Sequence, residues 1–341
     1  MMRSWFNGLG AGLVVTALLA GAVLARWSRP ASTPSLAAEM ERLTRQPHFV
    51  LIAEEYGNPY WDLVRRGALA EAQRRGVTLE FTGPGRAGIQ EHLRLLDRAI
   101  VSGVNGILTQ GLSEAEFKPL IDKAVSRGIP VITVDTDAPG SRRISYVGTD
   151  NYASGRLAGQ EMIRATGGRA RVGIITGSFQ SANEVQRVQG FRDAIRSAPG
   201  MQVVAVESSD ISRLVAAEKA GQILTQHPDV TVLFGTSALD AMAAAQVVLE
   251  RGLQGRVLIV GYDNLPQTLD YIRQGVIYGS VVQNPRAMGE LGVALLVSYR
   301  EGRSVPPVVD TGVWFVTTAT LKDLEARREQ EGGLGRAAVT P

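Results

Sequence analysis

The chain has 341 residues, of which 45% are hydrophobic and 20% charged, and this length predicts a globular protein of two domains. It contains no cysteine, which excludes a disulfide framework, a thiolate metal site and a cysteine nucleophile, and its three histidines are too far apart for a metal-ligand spacing. The net charge of +3 equals the three arginines of residues 1–30, where no acid occurs, so the remainder is neutral and nucleic-acid binding is not expected.

Residues 8–25 form an uncharged run, GLGAGLVVTALLAGAVLA, followed by a stretch rich in Pro and Ser. Residues 1–30 are therefore predicted to be a cleaved signal peptide or an uncleaved membrane anchor, and residues 31–47 a linker. A buried core helix is the third interpretation, and the stretch that follows argues against it. Both main interpretations place the body outside the cytoplasm, although Arg26 and Arg29 beyond the run favour cleavage.

From His48 onward, short β-branched runs alternate with longer amphipathic stretches that end at glycines such as Gly76, Gly128 and Gly252. This alternation predicts βαβ units and an α/β fold with two doubly wound parallel sheets. The predicted strands are 49–53, 77–82, 106–109, 130–134, 171–176, 203–207, 230–234, 257–260 and 277–282. The predicted helices include 60–75, 89–102, 114–127, 152–166, 186–197, 212–226 and 238–251. Residues 326–341 are charged and then Gly-rich, which predicts a disordered tail.

Polar side chains follow the predicted strands in both halves of the chain, and ligands of such sheets bind beyond the carboxyl ends of the strands. Carboxylates, amides and hydroxyls can each meet two neighbouring hydroxyls of a neutral polyol, and an aromatic ring can cover its C–H face. The same residues also fit turns, helix caps or core positions when each is taken alone. The aromatic candidates are Tyr60 and Trp61, and the polar candidates are Glu54, Glu55, Asn58, Gln110, Asp135, Asp137, Ser178, Gln180, Ser237, Asp240, Asp263, Asn264, Gln283 and Asn284.

The stretch 83–88 matches the pattern G-x-G-x-x-G, which is typical of dinucleotide-binding loops. It follows the second predicted strand instead of the first, and no strand ends in an acid about 20 residues later. The sequence also has no P-loop lysine motif and no G-x-S-x-G elbow. We therefore expect no cofactor, no metal and no enzymatic activity, and an NAD-type enzyme remains the weaker alternative.

Five ordered segments resemble the ribose/galactose-type periplasmic sugar-binding proteins over roughly residues 48–320: 58–61 (NPYW), 128–135 (GIPVITVD), 147–151 (VGTDN), 187–191 (RVQGF) and 260–263 (VGYD). This resemblance implies the type I periplasmic binding fold, with two Rossmann-like lobes joined by three crossovers near 149–150, 283–284 and 310–312. It implies a first lobe of 48–149 plus 284–311 and a second of 150–283 plus 312–325. Its ligand contacts fall on Glu54, Asn58, Tyr60, Trp61, Gln110, Asp135, Arg187, Ile211, Ser237, Asp263 and Gln283, to which we add Asp137.

The chain departs from the ribose binders at several of these positions. A serine stands there at the position of Glu54, asparagines at those of Gln110 and Ser237, and an aromatic residue at that of Ile211. Ribose is therefore not the expected ligand. The pair formed by Asp135 and Asp137 resembles branches that bind other pentoses, deoxyhexoses or related polyols.

The segment 134–151 and the apolar N-terminal run resemble a narrower set of membrane-tethered sugar binders that work beside a sensor histidine kinase. The resemblance implies hinge closure around a monosaccharide or polyol, which is then presented to an ABC-type importer or signalled to such a kinase. The implied partners are this membrane protein and, through the N-terminal helix, the membrane itself. A sugar-responsive transcriptional regulator shares the fold but needs a DNA-binding helix-turn-helix, which this N-terminus does not resemble.

Overall fold

The computed structural model describes residues 46–323. The predicted N-terminal helix, nearly all of the predicted linker and the predicted tail lie outside the described residues. Between residues 46 and 323, no helix combines the length and the apolar character needed to span a membrane.

Twelve strands and nine helices alternate along the described residues. The strands are β1 His48–Ile52, β2 Thr78–Thr82, β3 Gly106–Thr109, β4 Val131–Val134, β5 Ser145–Gly148, β6 Arg169–Thr176, β7 Gly200–Ser208, β8 Val232–Gly235, β9 Leu258–Tyr262, β10 Gly279–Val282, β11 Val308–Asp310 and β12 Trp314–Thr317. The helices are α1 Pro59–Arg75, α2 Ile89–Val101, α3 Glu114–Ser126, α4 Asn151–Thr166, α5 Ala182–Ile195, α6 Arg213–Gln226, α7 Asp240–Glu250, α8 Pro266–Arg273 and α9 Pro285–Arg300.

The strands form two six-stranded sheets that have the same order. The first sheet runs β11-β5-β4-β3-β1-β2 and the second runs β12-β10-β9-β8-β6-β7. Strand pairing is parallel except between β12 and β10. Buried apolar residues pack on both faces of each sheet. The predicted fold of two doubly wound α/β lobes is confirmed. The strand order reverses beside β1 in the first sheet and beside β6 in the second. Doubly wound sheets bind their ligands at the carboxyl ends of the strands at this point.

The chain passes between the two lobes three times. It leaves the first lobe after β5 at residues 149–150, returns after β10 at residues 283–284, and crosses again between β11 and β12 at residues 311–313. The predicted three-crossover hinge is therefore present.

Each lobe contains one pair of helices that touch backbone to backbone through glycines. In the first lobe, a Cβ on Gly67 of α1 would lie 2.0 Å from the carbonyl oxygen of Arg286, and one on Gly289 of α9 would lie 2.0 Å from that of Val64. In the second lobe, the same relation joins Gly155 of α4 to the Arg187 carbonyl at 2.1 Å and Gly190 of α5 to the Tyr152 carbonyl at 2.1 Å. In each pair, a helix that follows a crossover packs against a helix that follows a central strand. The first pair joins α9 to α1, which follows β1, and the second joins α4 to α5, which follows β6.

Replacing Gly155 with alanine is expected to destabilise the protein by about 1–3 kcal/mol, because the new methyl group meets fixed backbone instead of a movable side chain. Gly221→Ala on α6 is the matched control, since its Cβ would meet only the guanidinium of Arg251 at 3.1 Å. That control is expected to be neutral or stabilising, because alanine favours helix. Urea unfolding of both variants tests this, and equal midpoints would contradict it.

Candidate functional site

A cavity lies between the two lobes, at the carboxyl ends of the strands of both sheets. Its walls are formed by Glu54, Asn58, Tyr60, Trp61, Asp135, Asn183, Glu184, Arg187, Ile211, Ser237, Ala238, Asp263 and Gln283.

Most of the predicted site residues lie in this wall. Of the candidates, nine line the cavity together with Ile211: Glu54, Asn58, Tyr60, Trp61, Asp135, Arg187, Ser237, Asp263 and Gln283. Gln110 is fully buried behind the wall, where its amide donates to Asp135 at 2.9 Å and to Thr136 at 3.1 Å. Gln110 therefore positions Asp135.

Asp137 does not line the cavity. Its carboxylate accepts a hydrogen bond from Thr133 at 2.8 Å and forms an ion pair with Arg143, whose Nη2 lies 2.6 Å away. The same guanidinium donates to the carbonyl of Pro307 at 2.8 Å. Through Arg143, Asp137 connects the loop after β4 to the segment that precedes β11. Of the two aspartates, only Asp135 faces the cavity.

Asn183, Glu184 and Ala238 line the cavity although the sequence analysis did not select them. The predicted helix began at Gln186, whereas α5 begins at Ala182 with Ser181 as its N-cap residue. The earlier start places Asn183, Glu184 and Arg187 on one helix face by their spacing of three and four residues. The pattern Ser181-x-x-Glu184 is typical of a helix start and was the available signal.

Asp135 and Asp263 occupy equivalent positions of the two sheets, immediately after β4 and β9. Both have left-handed backbones, with φ of 65° and 66°. Their N–H groups donate to the next strand at 3.0 and 2.7 Å, and their carbonyls accept from the hydroxyls of Tyr146 at 2.9 Å and Ser280 at 2.7 Å. A left-handed non-glycine residue is strained, so these bonds hold each carboxylate in a conformation that aims it into the cavity.

Asp135 is surrounded by donors. Its Oδ1 accepts from the hydroxyl of Tyr60 at 2.6 Å, and its Oδ2 accepts from Gln110 and, across the cleft, from Asn183 at 3.4 Å. Burial and the neighbouring Asp135 hold the pKa of Tyr60 well above its ordinary value, so the hydroxyl stays a donor. The side-chain oxygen Oδ1 of Asn183 is buried and has no hydrogen-bond partner among the described residues, so it can accept from a ligand hydroxyl.

Arg187 is 3% exposed and connects several parts of the second lobe. It donates from Nε to Asn151 at 2.9 Å, from Nη1 to Glu184 at 3.2 Å and to the Thr236 carbonyl at 2.8 Å, and from Nη2 to Gln283 at 3.1 Å. Its guanidinium also lies 4.3 Å from the ring centroid of Tyr262. Four of its five N–H groups are engaged, so one remains for a ligand.

Four carboxyl groups share the cavity with this single guanidinium: Glu54, Asp135, Glu184 and Asp263. Burial raises the pKa of Glu184 to about 7, against the lowering effect of Arg187 and of the hydrogen bonds from Thr236 and Gly177. Burial raises the pKa of Asp263 to about 7, with Arg187 and Gln283 opposing the rise. Burial raises the pKa of Glu54 to about 8, and Asp135 and Glu184 add to the rise.

The two lobes touch across the cleft. The N–H of Ala182 donates to the carbonyl of Leu112 at 2.9 Å, and the hydroxyl of Ser181 lies 3.4 Å from Glu54. Trp61 is 1% exposed and belongs to an apolar cluster that includes Met242 and Leu265 of the second lobe. The structure therefore shows the closed arrangement of the lobes.

The cavity combines planar polar groups with apolar walls from Trp61 and Ile211. Ile211 has a φ of 56°, a strained value for a β-branched residue, and its N–H donates to the Gly177 carbonyl at 3.0 Å. Within residues 46–323, no group of three or more histidine or acidic side chains is placed to hold a metal ion. The arrangement can enclose and orient a small hydroxylated molecule.

The family model described as "periplasmic binding protein domain" matches residues 49–304. In structure, the chain is similar to GanP, a glucose-galactose binding protein from Geobacillus stearothermophilus, with 48% identity and a TM-score of 0.79 over 81% of this chain and 99% of that one. It is also similar to a XylFII–LytSN complex, with 36% identity and a TM-score of 0.78 over 80% and 98% of the two chains. The D-allose-binding periplasmic protein of Escherichia coli is 26% identical over 269 residues, which cover 76% of this chain and 86% of that protein.

Proposed function

Because this chain belongs to the periplasmic binding protein domain family, we propose that it captures one neutral monosaccharide or polyol between its lobes and presents the closed form to a membrane partner. The family places the protein outside the cytoplasm, and it binds ligands without transforming them. An importer of the ABC type is the first partner to consider, because the relatives include a ribose import binding protein and the similar structures include a solute-binding protein of an ABC transporter.

The observation that carries this proposal is the closed cavity itself. Carboxylates and amides from both lobes surround it, and each can accept or donate to two hydroxyls of a sugar. A ligand that contacts both lobes binds the closed form more tightly than the open one, so it shifts the population toward closure. A partner that recognises the closed form then reads occupancy.

The similarity to GanP favours glucose and galactose as the first ligands to test. The prediction from Asp135 and Asp137 favoured pentoses, deoxyhexoses or polyols, and the position of Asp137 outside the cavity removes part of its basis. Hexoses therefore head the proposed ligands, followed by pentoses and deoxyhexoses.

We expect the soluble body, residues 35–341, to gain thermal stability with one of these sugars. A ligand at 100 times its Kd stabilises the folded state by about 2.7 kcal/mol. A thermal-shift screen followed by calorimetry measures this, with the charged metabolite gluconate as the negative control. If no monosaccharide, deoxysugar or inositol produces a shift or heat, the sugar-binding proposal fails.

A sensing role is the second candidate, and the observation that favours it is the similarity to a XylFII–LytSN complex. A binder held at the membrane by residues 8–25 would meet a kinase partner at high effective concentration. Mass spectrometry of the N-terminus from membrane and soluble fractions of the host tests this. A soluble protein that begins near residue 23 would remove the anchor and most of the case for sensing.

A further inference from the structure

Glu54 differs from the other three carboxyl groups of the cavity in how little compensates its charge. It is 8% exposed and, among the described residues, accepts one side-chain hydrogen bond, from the hydroxyl of Ser181 at 3.4 Å. No lysine or arginine of residues 46–323 forms an ion pair with it. A buried carboxylate without such partners is unfavourable by several kcal/mol, so the neutral form is favoured instead.

The remaining carboxyl groups are better satisfied. Asp135 accepts from Tyr60 and Gln110, Glu184 from Arg187 and the Gly177 N–H at 3.1 Å, and Asp263 from Gln283 at 3.1 Å. These donors stand close enough to stabilise the ionised forms. Glu54 therefore holds the cavity's most favourable place for a proton.

The charges that face Glu54 come from two parts of the cavity wall and from its own loop. Asp135 after β4, Glu184 on α5 and the adjacent Glu55 all disfavour its ionisation, and only Arg187 on α5 favours it. Burial makes the largest contribution, and together these effects raise the pKa of Glu54 to about 8.

We propose that Glu54 binds the ligand as a neutral carboxylic acid whose O–H donates a hydrogen bond to a ligand hydroxyl or ring oxygen. The proton of this group is taken up from solution when the lobes close. This inference rests on the proposed function. It assigns Glu54 as a residue that selects uncharged hydroxylated ligands. An amino sugar is disfavoured, since its ammonium group needs an ionised partner at this position.

The direction of the pH dependence follows from the change in burial. When the lobes open, Ser181, Glu184 and Arg187 of the second lobe move away from Glu54, so we expect this side chain to meet water and its pKa to return toward the usual value of about 4.3. Closure raises that pKa to about 8, so a proton is bound on closing and the affinity is highest at low pH. The affinity falls as pH rises between the two values and levels off above pH 8.

Calorimetry with D-galactose and D-glucose, in buffers that differ in ionisation enthalpy, measures the proton uptake directly. For the better of the two sugars at pH 7, the wild type is expected to take up close to one proton per ligand, and Kd to rise by up to about tenfold per pH unit between pH 5 and 8. Glu54→Gln keeps a donor in a neutral side chain. It is expected to lose most of the proton uptake and most of the pH dependence of Kd between pH 5 and 8.

Glu55→Gln is the matched control, because Glu55 lies next to Glu54 on the same loop, is half-buried and does not line the cavity. It should keep nearly all of the wild-type proton uptake, because Glu55 makes the smallest of the contributions that raise the pKa of Glu54. The hydrogen-bond partners of Glu184 and Asp263 lie within the second lobe and persist when the lobes open. Any proton uptake by these two carboxyl groups is therefore the same in the wild type and in Glu54→Gln. The difference in proton uptake between the two proteins reports Glu54.

Binding without proton uptake by the wild type would overturn the assignment, and this measurement needs no variant to fold. If the wild type binds galactosamine or glucosamine more tightly than the parent sugars and Glu54→Gln loses this preference, the assignment is also overturned, because Glu54 would then be the ionised partner of the ammonium group. If neither sugar nor any other in the screen binds at any pH, the proposed function fails instead.

Discussion

Replacing Arg187 with methionine is expected to lower the free energy of unfolding by about 3–5 kcal/mol, the typical cost of removing one partner from a buried ion pair. Arg187 and Glu184 are 3% and 2% exposed, and the guanidinium also supplies hydrogen bonds to Asn151, the Thr236 carbonyl and Gln283. Methionine fills a similar volume but donates no hydrogen bond, so these acceptors and the Glu184 carboxylate lose their partner. Urea unfolding followed by circular dichroism measures the loss.

A double-mutant cycle separates the ion pair from the other contacts of Arg187. Glu184→Gln combined with Arg187→Met removes both charges, so the pair should be less destabilised than the sum of the single variants. Arg187→Lys keeps a charge without the planar fork and should fall between wild type and Arg187→Met. Strict additivity of the two single changes would show that the ion pair contributes nothing.

Asp263→Ala is expected to weaken ligand binding by about 2–4 kcal/mol, or roughly 30-fold to 1000-fold in Kd. The side-chain amide of Gln283 donates one hydrogen bond to Asp263, so the carboxylate keeps further acceptor sites for ligand hydroxyls inside the cavity. Calorimetry with the sugar found in the screen measures the change. Asp135→Ala should weaken binding by a similar amount, and it also removes the partner of Tyr60 and Gln110.

The left-handed backbone of Asp263 provides a control for folding. Glycine adopts a φ of 66° without strain and alanine does not, so Asp263→Gly should be more stable than Asp263→Ala by about 1 kcal/mol. Both variants lack the carboxylate and should lose binding equally. If Asp263→Gly binds with wild-type affinity, Asp263 supports the loop and does not contact the ligand.

Much of the fold follows from hydrophobic periodicity, and the elements that escaped it have physical causes. The strands β5, β11 and β12 were not predicted, and all three lie at or next to the sheet edges that border the crossovers. The helices α8 and α9 also escaped, although each begins with a proline in its first turn, Pro266 and Pro285, which is a recognised start signal. The central strands were found because their residues are buried on both faces and read as continuous apolar runs.

The candidate site was predictable where a polar residue directly follows a buried strand, as Asp135, Asp263 and Gln283 do. It was less predictable on α5, because Asn183 and Glu184 reach the cavity through the position of a helix start that periodicity does not define well. Asp137 was predicted to contact the ligand because it lies near the end of a strand. In the structure it is instead paired with Arg143, 6 residues further along the chain. Pairing partners of this kind depend on loop conformation, which strand and helix patterns do not encode.

The glycine contacts between helices also determine which parts of the molecule can bend. α1 carries Tyr60 and Trp61, α5 carries Glu184 and Arg187, and each is pressed against a helix that emerges directly from a crossover. A contact between two main chains has no rotamers to exchange, so it cannot absorb a rotation by rearranging side chains. The backbone rotations that open and close the lobes are therefore concentrated in the short crossovers. Each lobe moves as a rigid body, in which the helix that carries ligand-facing residues and the helix that follows the crossover keep a constant separation.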